Sequence, residues 1–194
     1  MTTPVSTTTG AASTDAASTD NQAPPSNSNV SVVQASSGAA VTTEVNIGTI
    51  ETEAAQAVQV GIGAAHAAVW AYGLISAYDT DDANLIRSCR LANEQVRDSA
   101  NDLLSSVGVE PVRTEAAYKV PFAVIDTGTA QRLAVVIEKD CTNAWRAVVG
   151  STDNFQLRRF ALTALSDAAV RLTGWRAIAA QPPITVPFPG NEAG

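Results

Sequence analysis

The sequence predicts an all-α protein, an antiparallel up-down four-helix bundle preceded by a low-complexity tail. Three observations carry that expectation. Apolar residues recur at helical spacing over four segments of similar length. The nine prolines leave two long proline-free stretches, Ser26–Glu110 and Phe122–Gln181. Polar clusters at Asp79–Asp82 and Ser151–Asn154 then divide the helical part of each stretch into a pair. Proline inside a helix costs about 3 kcal/mol or more, so its absence is a requirement that both stretches meet.

The first helix is expected from Ile50 to Tyr78, with Thr49 as N-cap and Glu51 and Glu53 at the positive end of its dipole. Val58, Ile62, Ala65, Val69 and Tyr72 mark its apolar face. The second runs from Asp81 to Ser106, with a stripe of Leu85, Cys89, Ala92, Val96 and Leu103 that stops at Gly108. Asp126, Thr127 and Thr129 compete to cap the third, whose face is Leu133, Val136, Ile137, Cys141, Ala144 and Val148, ending at Gly150. The fourth has the cleanest stripe: Leu157, Phe160, Ala161, Ala164, Leu165, Ala168, Leu172 and Trp175. It reaches Ala179 before Gln181-Pro182-Pro183 ends it. Short links make each consecutive pair an antiparallel hairpin. The longer Val107–Ile125 link must cross an end or a flank of the bundle.

Residues 1–45 form a separate compositional unit of Ser, Thr, Ala, Asn and Pro, with the tandem repeat Ala11–Asp15 and Ala16–Asp20. Such a segment has too few large apolar groups to offset chain entropy, and it reads as disordered. It serves either as a solubilising extension or as a docking or targeting peptide. The bundle domain is expected over residues 46–190 and a short disordered C-terminus over 191–194.

Charge excludes several roles. The net charge is −7, and all twelve basic residues lie from Arg87 onward. No basic footprint exists for nucleic acid, and an anionic membrane surface is disfavoured for the same reason. Neither a signal peptide nor an apolar run of bilayer-spanning length is visible, so the expected compartment is the cytoplasm.

Several segments recur together in a recognisable order: Ala64–Gly73 with His66, Trp70 and Tyr72; Arg90 and Arg97-Asp98 on the second helix; Tyr118–Pro121; Ala144-Trp145-Arg146; Gly174-Trp175-Arg176; and Val186–Gly190. In this combination the chain, from Glu51 to Gly190, resembles the ferritin-like domain of unknown function found in actinobacterial proteins. The resemblance implies a fold and no activity. That family often places a Glu immediately before the histidine of the first helix, where this chain has Ala65.

The metal chemistry common in ferritin-like bundles lacks its ligands here. A di-iron centre takes a Glu from each of two helices and a Glu-x-x-His pair from each of the others. This chain has one histidine, and no Glu-x-x-His occurs. Counting helical rise brings His66, Cys89, Glu94, Cys141 and Asp167 to similar heights, with Glu138 nearby on the third helix. These six are the candidate ligand-binding residues. A mononuclear zinc site of His66, Cys89, Cys141 and a carboxylate is conceivable, but the cysteines lack close spacing and no second histidine supports it. His66 reads more simply as a hydrogen-bonded boundary imidazole, and Cys89 and Cys141 as free buried thiols. No metal and no cofactor are expected. Nucleophilic catalysis would have His66 as its only base, and no nucleotide-binding or nucleophile-elbow motif is present.

Gly61 and Gly63 are read as allowing close helix approach. Arg90–Glu94, Glu94–Arg97 and Asp167–Arg171 have pairing spacings. Trp70, Trp145 and Trp175 read as core or boundary aromatics; Trp70 and Tyr72, if exposed, would mark a partner surface.

The leading functional expectation is a non-enzymatic module that binds a protein partner or a second copy of itself. The alternative is small-ligand or mononuclear-metal binding in the mid-bundle layer around His66. A cargo role addressed by the tail is a third.

Overall fold

A computed structural model describes residues 48–191. The expected disorder of residues 1–45 and 191–194 falls on positions that lie outside the described residues, apart from Asn191, whose amide donates to the Phe188 carbonyl at 3.0 Å. Four α-helices of 24 residues each and no strand occur among the described residues: α1 (Thr52–Ile75), α2 (Ala83–Ser106), α3 (Thr127–Gly150) and α4 (Phe155–Ile178). Each helix is about 36 Å long at 1.5 Å per residue, so the four match in length.

The helix starts show which polar residues act as caps. Asp126 and Thr129 form a reciprocal capping box at α3, where Asp126 accepts from the Thr129 amide at 2.7 Å. Asn154 caps α4 by accepting from the amides of Gln156 and Leu157. Thr49 does not cap α1. The chain turns at Gly48 (φ 62°), and helical backbone begins only at Thr52, with Glu51 at the N-cap making no side-chain capping bond; its carboxylate instead accepts from the Thr152 hydroxyl at 3.4 Å. At α2 the cluster works one turn earlier than a simple N-cap, because the buried Asp79 carboxylate accepts from the Asp82 amide at 3.2 Å.

Contacts along the helices fix their directions. On α1 and α3, Gly61 meets Trp145, Tyr72 meets Glu138, and the Tyr78 carbonyl accepts from Thr127, so these helices run antiparallel. On α3 and α4, Glu138 meets Arg171 and Trp145 meets Phe160, again antiparallel. Asp82 meets Gln131 and Asn93 meets Cys141, so α2 and α3 run parallel. The 107–126 connection makes this possible by running the whole flank of α1. Gln59 holds Glu110 and Val112, Trp70 packs tilted against Tyr118 with ring centroids 5.9 Å apart, and Arg132 sits over the Phe122 ring. The two hairpins are therefore antiparallel internally and joined by one long crossover.

The core is continuous through all four helices, with Val58, Ile62, Tyr72, Leu104, Leu133, Trp145, Leu157 and Trp175 among its most buried side chains. Gly61 permits a close approach of α1 to α3, since a Cβ there would stand 2.8 Å from the Trp145 ring. Gly63 serves no such purpose, with open space where its Cβ would be. Trp70 and Tyr72 form no exposed patch, because the crossover covers Trp70 and Tyr72 is fully buried. α1 is also the one described helix long and apolar enough to cross a membrane, but its apolar face is packed into this core. After α4 the chain returns along α3, where Gly190 (φ 77°) lies against Arg146 and the Thr142 carbonyl.

Candidate functional site

The centre of the bundle is polar. Glu138, fully buried on α3, receives three hydrogen bonds on its Oε1 atom, one from each of the other helices. Tyr72 Oη on α1 donates at 2.7 Å, Asn93 Nδ2 on α2 at 3.0 Å, and Arg171 Nε on α4 at 2.9 Å. Glu138 Oε2 is buried without a partner. Outer bonds lock the donors: Trp175 Nε1 donates to Tyr72 Oη at 2.9 Å, and Asn93 also bonds the Cys89 carbonyl at 3.0 Å. Cys141 Sγ donates to Asn93 Oδ1, and Thr142 to the Glu138 carbonyl.

Electrostatics in this layer follow from burial and from the one carboxylate. Burial works against the Arg171 charge, yet the Glu138 carboxylate raises its pKa overall. Desolvation, helped by Glu138, pushes the Tyr72 phenol well above its ordinary value. The same two causes raise the Cys89 thiol and, more strongly, that of Cys141. Both cysteines are free and buried, as expected.

The structure brings three of the six candidates into this layer, namely Glu138, Cys89 and Cys141. The other three lie elsewhere. Glu94 is one residue past the inward Asn93 and pairs with Arg90 at 3.0 Å on the outer side of α2. Asp167 is exposed, and Arg171 turns inward to Glu138. Arg97 pairs with its neighbour Asp98 at 2.7 Å. His66 sits under the crossover, hydrogen-bonded to the Val112 backbone, and its pKa is lowered by burial and by Arg97. It precedes Tyr72 by six residues, which is about 9 Å along α1 and about 240° around it. Tyr72, not His66, is the α1 member of the layer. No group of three or more His, Cys, Asp or Glu side chains able to hold a metal occurs among the described residues.

Tyr72, Asn93, Arg171 and Trp175 were not among the expected site residues. Their signal was a polar atom in core register: Asn93 follows Cys89 by four, and Arg171 lies between Ala168 and Trp175 on the α4 stripe.

The layer is sealed on most sides. α2 and α4 stand apart, and a groove of about 190 Å³ opens between them, lined by Val96, Phe160, Ala164, Asp167 and Arg171 among others. Arg171, with its side chain 14% exposed, is where the buried layer reaches this groove.

The chain is a four-helix bundle with one buried carboxylate held at its centre by three side-chain donors. Residues 57–193 match the domain of unknown function DUF4439, and the chain belongs to that family. It is similar to a conserved hypothetical protein from Mycobacterium tuberculosis, whose crystal structure aligns over 71% of this chain and 98% of that one, with 33% identity and a TM-score of 0.65. Comparison with curated proteins returns no match.

Proposed function

We propose that the protein is a ferritin-like helical scaffold of the actinobacterial type that carries no metal, catalyses no reaction, and works by presenting a helix face to a protein partner or to a second copy of itself. One observation supports this above others. The outer face of α4 is left bare and carries Phe155, Leu162 and Val170 at 70%, 52% and 72% exposure. Contiguous exposed apolar patches mark interaction surfaces, and these three side chains share one side of α4 at intervals of seven and eight residues. The core layer supports the other half of the reading. Glu138 is already neutralised by Arg171 and committed to Tyr72 and Asn93, whereas a pair of hard cations needs several carboxylates to balance its charge. The acidic balance of the chain, with all twelve basic residues from Arg87 onward, and the packing of the apolar face of α1 into the core support a cytoplasmic role away from nucleic acid and membrane.

The test is site-specific photocrosslinking in the protein's own host, with the crosslinker replacing Leu162. Discrete adducts that disappear when the crosslinker is moved to Gln95 on α2 are expected. A bare chain at both positions would contradict the reading.

A second reading, small-ligand binding at mid-bundle, draws on the groove between α2 and α4, with Arg171 in place of His66 as its contact to the core. A stoichiometric small-molecule mass retained by the native protein and lost on Arg171→Leu would favour it.

A further inference from the structure

We propose that the groove between α2 and α4 binds a free α-amino acid with an apolar side chain, its carboxylate on Arg171 and its ammonium on Asp167. The inference rests on the small-ligand reading above and names the ligand class.

The groove exists because one side of the bundle stays open. α2 packs on α1, α1 on α3 and α3 on α4, while α2 and α4 stand apart. The space between them is about 190 Å³, below the roughly 300–1,000 Å³ of sites that take drug-sized molecules. Its occupant is therefore small.

One face of α4 supplies both charges. Arg171, Asp167, Ala164 and Phe160 all line the groove and fall within about 60° of one another around the helix. Spacing alone would pair Asp167 with Arg171 one turn away. Instead the Arg171 Nε atom donates inward to Glu138 at 2.9 Å. Among the described residues no hydrogen bond or ion pair engages the terminal Nη groups of Arg171, and none engages the exposed Asp167. The groove thus offers a guanidinium fork and, about 6 Å along the helix, a carboxylate.

A simple ion matches neither charge well. An anion on Arg171 would meet a guanidinium that Glu138 already neutralises, with Asp167 repelling it from one turn away. A cation on Asp167 would leave the Nη donors unused. A zwitterion satisfies both, because its planar carboxylate takes the fork bidentately while its ammonium donates to Asp167. Further toward the start of α4 the lining turns apolar, at Ala164 and Phe160, and Ala92 and Val96 line the α2 side. Cation, anion and apolar surface follow one another along α4 in an order that the carboxylate, ammonium and side chain of an apolar amino acid match.

Isothermal titration calorimetry of the full chain with L-leucine tests this, beside two analogues. 4-Methylpentanoate lacks the ammonium, and 3-methylbutylamine lacks the carboxylate. One leucine per chain is expected, with each analogue at least about tenfold weaker, the effect of losing one charge-assisted hydrogen bond. Asp167→Asn should weaken leucine by a similar factor and remove its advantage over 4-methylpentanoate. Asp167 is exposed, and circular dichroism checks that the variant keeps its helices. Arg171→Leu should abolish binding, but it also strips Glu138 of its partner, so the Asp167 variant carries the test. Leucine binding indifferent to Asp167→Asn overturns the proposal. So does 4-methylpentanoate binding as tightly as leucine, although the small-ligand reading would then stand. Failure of leucine to bind overturns the proposal as well. If the native chain then retains another small molecule that is lost on Arg171→Leu, the groove reading survives, and if it retains none, both fall.

Discussion

Arg171 on α4 holds the fully buried Glu138 carboxylate of α3 at 2.9 Å, and this pair ties the second helical hairpin together at the centre of the bundle. A buried ion pair is costly to break from one side and cheap to replace whole. Arg171→Met strands the Glu138 charge and should cost about 3–5 kcal/mol. Joined with Glu138→Leu, the double variant should recover most of that loss. Urea unfolding of the two single variants and the double measures the coupling, and additive losses would show that the pair does not act as a unit.

Tyr72 connects Trp175 to Glu138 and so spans three helices. Tyr72→Phe removes a hydrogen bond to a charged group and leaves the Trp175 indole N–H without its acceptor. The expected loss is about 1.5–3 kcal/mol, accompanied by a change in tryptophan fluorescence.

The raised pKa values of Tyr72, Cys89 and Cys141 make stability fall in alkali. Above about pH 8.5 for the thiols and about pH 10 for the phenol, the unfolded chain releases protons that the folded chain retains, which favours unfolding. Urea midpoints should decline from about pH 8.5 upward, and Cys141 should resist a thiol reagent until the chain unfolds. Rapid stoichiometric labelling of both cysteines in the native protein would contradict the burial.

His66 acts at the other end of the scale. Its folded pKa is lowered, so below about pH 6.5 the unfolded chain binds a proton that the folded chain rejects, and stability falls as pH drops. The His66→Gln variant should lose that part of the acid dependence. Equal slopes for both proteins between about pH 5 and 6.5, around the ordinary histidine value, would remove His66 as the cause.

Gly61 and Gly63 should respond oppositely to alanine. Gly61→Ala drives a Cβ into the Trp145 ring, which Phe160 braces edge-on at 5.6 Å, and overpacking of this kind costs about 1–3 kcal/mol. Gly63→Ala meets nothing and should gain up to about 1 kcal/mol from helix propensity. Thermal unfolding midpoints moving in the same direction would contradict the packing assigned to Gly61.

The fold was legible because apolar stripes and proline placement are local signals. The Leu157-to-Trp175 stripe and the clusters at Asp79–Asp82 and Ser151–Asn154 located four helices to within a few residues of their ends. Helix direction was less accessible. The parallel setting of α2 and α3 depends on how far the 107–126 segment travels, and its anchors, Gln59 to Val112 and Trp70 to Tyr118, are long-range. The polar layer was half legible. Rise along a helix placed Cys89 and Cys141 at the right height, but rotation decides what faces inward, and it turns Tyr72 in while His66 stays beneath the crossover. Arg171 was assigned to its helical neighbour Asp167 because spacing along one helix says nothing of a carboxylate arriving from another.

We propose that the core layer is complete without metal and that the protein works through an exposed helix face. Native mass spectrometry of the full chain, purified gently from its own host, tests it most directly. The expected result is the unmodified chain mass, free of metal. A stoichiometric metal mass on the native chain that disappears in Glu138→Gln would contradict it and make the buried layer a metal centre.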